Sequence, residues 1–200
     1  MKLSRQLLIA AFCMVALSPQ AYAQSGKATV EKLVQIFTSW SGNPADRKIL
    51  SEAAAYIDYN GMAERSLKSA EWSKLSPQQR TEFAQTLKTL IEERYYTRWH
   101  RIFAKGKLAF QSESNSGGDV IVKSNLVIGK KTDALSWRLD NNGSKVVSLA
   151  VGDSDLLQKL SSRLEGRMAK VGFQGLLTWM KGKANIGPSD TYEASANESH

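Results

Sequence analysis

The chain has 200 residues, a formal charge of +8 at pH 7, 42 % hydrophobic residues and one cysteine, Cys13. A single cysteine excludes an internal disulfide framework and a thiolate metal cluster, so a domain of this size must be held by its apolar core. The basic balance suits anionic surfaces or acidic partners, although the lysines and arginines are scattered rather than gathered in blocks.

The first residues read as an address. Lys2 and Arg5 form a positive start, Leu7 to Leu17 is an apolar run, and Ala21-Tyr22-Ala23 is a small-x-small cleavage signal. The run falls short of the about 20 apolar residues that cross a bilayer. Residues 1–23 are therefore expected to be a signal peptide, with export to a periplasm and removal of Cys13. Nucleic acid is not an expected partner there. The remaining chain keeps a formal +6, because Lys2 and Arg5 are the only charges lost.

Val30, Leu33, Val34, Phe37 and Trp40 recur at helical spacing, which predicts an amphipathic helix over about residues 27–40. Ser41-Gly42-Asn43-Pro44 breaks it. A second helix is expected from Ala45 through the alanine run to Ile57, and a short third one after Asp58 or Asn60. Ser76, Pro77 and Gln79 then spell a capping box with proline in the first turn. The helix they open carries Phe83, Leu87, Leu90, Ile91 and Tyr95 on one face, continuing to Trp99 and Ile102.

At Lys107 the periodicity changes to alternation. Leu108 and Phe110 predict a first strand, and Ser112 to Gly118 a polar loop. Val120, Val122, Leu126 and Ile128 predict a second strand. Leu135, Trp137 and Leu139 predict a third, and Val147, Leu149 and Val151 a fourth, with Asp140-Asn141-Asn142-Gly143 as a hairpin turn between those two. Asp153 or Ser154 should cap another helix, striped by Leu156, Leu157, Leu160, Leu164, Met168 and Val171. Gly172 should end it. A last short helix carries Phe173, Leu176, Leu177 and Met180. Residues 184–200 have almost no apolar content and read as a disordered tail. The fold class is α+β: one domain over residues 24–183, with a twisted antiparallel sheet of about four strands covered by N- and C-terminal helices.

Several segments together carry a resemblance. Tyr56-Ile57-Asp58-Tyr59-Asn60-Gly61-Met62-Ala63 is similar to an aromatic-Asp-aromatic-x-x-Met-Ala segment. Trp72-Ser73-Lys74-Leu75-Ser76-Pro77-Gln78-Gln79-Arg80-Thr81-Glu82-Phe83 is similar to a Trp-x-x-Leu-Ser-x-x-Gln-Arg-x-x-Phe helix start. Leu90 to Tyr95 and the close Gly172-Phe173 with Leu176-Leu177 and Lys183 continue the pattern. In that order, behind a signal peptide, they resemble the MlaC-like (toluene-tolerance) family of periplasmic phospholipid-binding proteins.

The resemblance implies a cone-like sheet, similar to the nuclear-transport-factor superfamily, enlarged by helices around an apolar cavity. It implies a monomeric carrier that moves phospholipid between an outer-membrane lipoprotein complex and an inner-membrane ABC transporter complex, maintaining outer-membrane lipid asymmetry. Phe83, Leu87, Leu90 and Tyr95 from the capped helix are candidates for the cavity wall. Leu108, Phe110, Val120, Val122, Leu126, Trp137, Leu139, Val147 and Leu149 from the strands join them, with Phe173, Leu176 and Leu177 from the last helix. Each is read as wall or as ordinary core, which sequence alone does not separate. Tyr95, Tyr96 and Trp99 suit a rim that is apolar on one side and wet on the other. Lys105 and Lys107 follow as candidate contacts for a lipid phosphate or an acidic partner, or as solvated surface. Another apolar lipid such as a hopanoid, or a periplasmic adaptor without lipid, remains as an alternative.

Catalysis is not expected. His100 and Asp58 are the only acid–base candidates near aromatic residues, and each has a structural alternative: packing at a helix end for His100 and helix capping for Asp58. Neither a Ser-x-x-Lys nor a Gly-x-Ser-x-Gly motif occurs, and no His/Asp/Glu cluster has metal-ligand spacing. No cofactor and no metal are expected.

Overall fold

The computed structural model describes residues 25–185. The expected leader lies outside the described residues, as does most of the expected tail. Ala184 and Asn185 close the last helix instead of opening a tail.

Helix α1 (Gly26–Ser39) begins with its amide donors paired. The Ser25 hydroxyl accepts from the amide of Ala28, and Glu113, reaching from the first strand, accepts from Gly26 and Lys27 at 3.0 and 2.9 Å. A carboxylate at this end satisfies orphan donors and meets the positive pole of the helix. Gly26 is required by close approach, since a Cβ there would lie 2.9 Å from methyl carbons of both Val120 and Val122. Glu113→Ala should therefore cost about 0.5–2 kcal/mol of stability, the usual range for a lost cap. A urea denaturation curve checks it, and a shift within error would remove Glu113 from this role.

Residues Pro44–Tyr56 wind as a 3-10 run of 13 residues rather than the expected α-helix. Its two buried residues, Leu50 and Ala53, are three apart, which matches three residues per turn. Arg47 ties this run to the long helix, donating to the Glu93 carboxylate and to the carbonyl of Glu92 at 2.8 Å each. Helix α2 (Tyr59–Arg65) is capped by Asp58, whose carboxylate accepts from the amide of Gly61. Helix α3 (Ser69–Lys74) is a single short piece. Helix α4 (Pro77–Phe103) carries the expected capping box, Ser76 and Gln79 each accepting from the other's amide. It buries Phe83, Leu87, Leu90, Ile91 and Tyr96 along one side.

The sheet is an antiparallel meander in the order β1-β2-β3-β4-β5. Its strands are β1 (Lys107–Ser116), β2 (Asp119–Ile128), β3 (Lys131–Leu139), β4 (Val146–Val151) and the two-residue β5 (Ser154–Asp155). The expected loop from Ser112 to Gly118 is instead the second half of β1 followed by a tight Gly117-Gly118 turn, both glycines having positive φ. This edge strand is solvated on both sides beyond Phe110, so it has no alternation for a sequence to display. A fifth strand exceeds the expected four because residues 154 and 155 fold back onto Ala150 and Val151.

Val120, Val122 and Leu126 on β2 and Leu135, Trp137 and Leu139 on β3 are buried beneath the helices, while Lys123 and Arg138 between them are exposed. Register pairs Val120 with Leu139 and Val122 with Trp137, which places these side chains on one face. Ser124 is polar on that face, and its hydroxyl accepts from the Trp137 indole at 3.0 Å. The free side of β4 is partly covered by Ile57, which bridges to Val146, and by the Asp58 amide, which donates to the Val146 carbonyl. Helix α5 (Leu156–Ala184) is two helical segments joined at Gly172, whose φ of 69° and ψ of −179° break the helix. Its cap is Asp155 rather than Asp153 or Ser154. The Asp155 carboxylate accepts from the amide of Gln158 and from the Ser148 hydroxyl, so the start of α5 is fixed to β4.

Candidate functional site

An apolar pocket lies where α4, β4 and the first turns of α5 meet. α1 contributes Leu33 and Phe37 to its wall, Ile57 and Met62 follow, and α4 adds Ile91, Tyr95, Trp99 and Phe103. The sheet supplies Trp137, Val146, Ser148 and Leu149, and α5 closes it with Leu156, Leu157 and Leu160. Ser148 alone among these has an aliphatic polar side chain, and its hydroxyl is already committed to Asp155. The void measures about 60 Å³, or about 640 Å³ of atom-free space when its open mouth is counted. The larger figure includes open solvent, so in this conformation the enclosed space is too small for the acyl chains of a phospholipid. Aromatic rings pack along one side of the wall: Phe37 meets Tyr96 and Trp99 edge-on at 5.0 and 5.4 Å, and Phe103 stacks on Trp137 at 5.8 Å.

Of the residues expected at the wall, the pocket brings together Tyr95, Trp137 and Leu149. Ten others are buried outside its lining: Phe83, Leu87, Leu90, Val120, Val122, Leu126, Leu139, Val147, Leu176 and Leu177. Leu108, Phe110 and Phe173 are half-buried outside it, Phe110 beneath the Lys27 ammonium at 5.3 Å and Phe173 beside Phe83. Ile57, residues from α1, α2 and the start of α5, and further residues of α4 and β4 complete the lining. The paired leucines 156 and 157, opening a helix directly after a strand, were the available signal for the α5 wall.

The expected rim divides. Tyr95 and Trp99 line the pocket, but Tyr96, one residue and about 100° further round the helix, is buried and turned toward Tyr59. The two phenols share a hydrogen bond, and Tyr59 also reaches Glu92 at 3.4 Å. Burial raises the pKa of both tyrosines above the usual phenol value, so both stay protonated. Burial likewise raises Glu92, against the opposing pull of Lys88 3.8 Å away. Lys105 and Lys107 are exposed beyond the end of α4.

His100 and Asp58 are both committed. His100 Nδ1 lies 2.8 Å from the Phe37 carbonyl, which can only accept, so Nδ1 carries the proton. Its ring meets Trp40 edge-on at 4.8 Å. Asp58 caps α2. Among the described residues no group of three His, Cys, Asp or Glu side chains could hold a metal ion. No helix among them is long and apolar enough to cross a membrane.

One charged cluster anchors the outer side of the sheet. Arg65 of α2 forks onto both oxygens of Asp119 at 2.7 Å, and Arg138 adds a third contact at 3.2 Å. The Arg65 fork, helped by Arg138 and opposed by burial, holds the Asp119 carboxyl below the usual range. A carboxyl lowered in the fold contributes stability that is complete above its unfolded value, about 3.9, and lost as pH falls through the folded value. Asp119→Asn should thus flatten the fall of the urea midpoint below about pH 4. An identical acid limb in both proteins would refute the assignment.

Comparison places this architecture among known proteins. A family model described as MlaC protein matches residues 27–182. A solved structure of a phospholipid-binding protein from Ralstonia solanacearum, in complex with a phospholipid at 1.53 Å resolution, has the same fold. Its TM-score is 0.68 at 18 % identity, over 82 % of this chain and 97 % of that one. Comparison with curated proteins gave no match. With the family model matched from α1 to the last turn of α5, this chain belongs to the MlaC family.

Proposed function

We propose that this protein is a monomeric periplasmic carrier of phospholipid that holds the acyl chains in the pocket between α4, β4 and the first half of α5. The observation that carries the reading is a wall of apolar side chains, with Ser148 its sole aliphatic polar member, set in a MlaC-family fold. The phospholipid held by the Ralstonia protein of the same fold supports the cargo. In this reading residues 1–23 serve as the export signal and residues 24–183 as the lipid-binding domain.

At about 0.8 kcal/mol per buried methylene, two tails of roughly 15 methylenes each forfeit some 20–25 kcal/mol in water. No carrier releases such a cargo into solution, so loading and unloading occur while docked. An outer-membrane lipoprotein complex and an inner-membrane ABC transporter complex are the docking partners that family membership suggests. A 60 Å³ void also requires the wall to move before a lipid enters. The function asks only for apolar contact and a moving wall, with no acid, base, nucleophile or metal.

Organic extraction of protein purified from the periplasm without detergent, followed by mass spectrometry, tests the proposal. Phospholipid near one molecule per chain is the expected result. A hopanoid or other apolar lipid at that ratio would change the cargo, and a consistently empty protein would make it an adaptor.

A further inference from the structure

The first half of α5 is held less firmly than the second. Between Leu156 and Val171 only Leu164 is buried, whereas Leu176, Leu177, Met180 and Ala184 are buried in the shorter segment after Gly172. Gly172 itself stands in open space, with nothing within 4 Å of where a Cβ would be, and its positive φ already departs from the helix. Val171, beside it, is the one exposed large apolar residue among the described residues, at 42 %.

This half-helix also carries two adjacent stripes. Leu156, Leu157 and Leu160 close the pocket from inside. Lys159, Arg163, Arg167 and Lys170, at helical spacings of four, four and three, stand exposed on the outside, where Arg167 reaches the Trp179 ring at 6.0 Å. Glu165 is the single carboxylate between Leu156 and Val171. The four cations lie about a quarter-turn round the helix from the leucine stripe, and a lysine- and arginine-rich flank beside leucines has the composition of segments that lie in a membrane interface.

We propose that the segment Leu156–Val171 is a membrane-docking lid: its basic face seats on an anionic bilayer surface, and it swings about Gly172 so that its leucine stripe enters the interface and uncovers the pocket. An acidic protein surface would attract the same cations but would offer the leucines nothing when they leave the pocket. A bilayer provides both the charge and the apolar medium. The purpose of the swing rests on the lipid-carrier reading, but binding and insertion are measured without reference to cargo.

The test is flotation of the protein with vesicles of mixed phosphatidylglycerol and phosphatidylcholine, compared with phosphatidylcholine alone. The wild type should float with the anionic vesicles only and be released by high salt. The triple variant Arg163→Gln, Arg167→Gln, Lys170→Gln should partition about a hundredfold less, from loss of three surface charges near an anionic membrane. It should keep its co-purifying lipid, because none of the three lines the pocket, and stay folded, because all three are exposed and only the Arg167 contact with Trp179 is lost. A second variant, Cys13→Ser with Val171→Cys, carries an environment-sensitive dye on the only thiol, and its emission should shift to the blue on anionic vesicles. No flotation of the wild type, equal flotation of the triple variant, or a dye that stays in water would each overturn the proposal. So would capture of an acidic protein by this face without any vesicle binding. A wild type that floats and inserts but never carries lipid would leave the docking lid standing and remove the carrier function.

Discussion

Leu157→Trp should lower the lipid recovered per chain by about tenfold or more while leaving the fold in place. Leu157 is half-buried and lines the pocket together with Trp137 and Leu149. A larger ring there occupies the space that acyl carbons would take. Excluding only two methylenes, at about 0.8 kcal/mol each, already weakens binding by roughly tenfold. Overpacking a filled interior costs about 1–3 kcal/mol, but a half-buried position lets the ring lean outward, so the stability loss should fall at or below the low end. Lipid content by extraction and stability by urea denaturation separate the two effects. Parallel loss of both would make Leu157 ordinary core and leave the pocket without a demonstrated role.

Trp137→Ala should behave in the opposite way. Trp137 is 2 % exposed, stacks on Phe103 and donates its indole hydrogen to Ser124, which is itself buried. Removing so large a buried ring costs about 3–5 kcal/mol, and the stranded Ser124 hydroxyl adds about 1 kcal/mol or more. Against a total stability of about 5–15 kcal/mol, that loss leaves the protein near its unfolding threshold. The pocket is enlarged rather than blocked, so lipid per folded molecule should be kept. Trp137→Phe, which restores the stacking but not the hydrogen bond, should recover most of the loss. A destabilisation below about 1 kcal/mol would mean that the sheet–helix core does not depend on this ring.

The local chemistry of the helices was the part most open to reading from sequence. Ser76, Pro77 and Gln79 mark the start of α4 because a capping box is a contact between neighbours three residues apart. Gly172 likewise announces its break, since the conformation there is one that other residues avoid. Strands were legible where one face is buried, as in Val120-Val122 and Leu135-Trp137-Leu139, and illegible in the second half of β1, where neither face is. The 3-10 winding of Pro44–Tyr56 escaped detection because alanine favours helix without specifying its pitch.

The site was less legible than the fold for a geometric reason. A stripe such as Phe83, Leu87 and Leu90 declares that it is buried, but not whether it meets another side chain or a void. That depends on contacts between α1, β4 and α5, which are far apart in the chain. Leu33 and Phe37 were recognised as an apolar face, yet nothing local could place them opposite Leu157. Tyr95 and Tyr96 illustrate the same limit: one step along a helix separates a pocket wall from a buried hydrogen bond to Tyr59.

The most direct test is a high-resolution crystal structure of protein purified from the periplasm without detergent. Acyl-chain density lying between Tyr95, Trp137, Leu149 and Leu157, covered by the first half of α5, is the predicted result. Well-ordered side chains filling that volume, with no ligand density in protein shown by mass spectrometry to carry lipid, would put the cargo elsewhere and contradict the account.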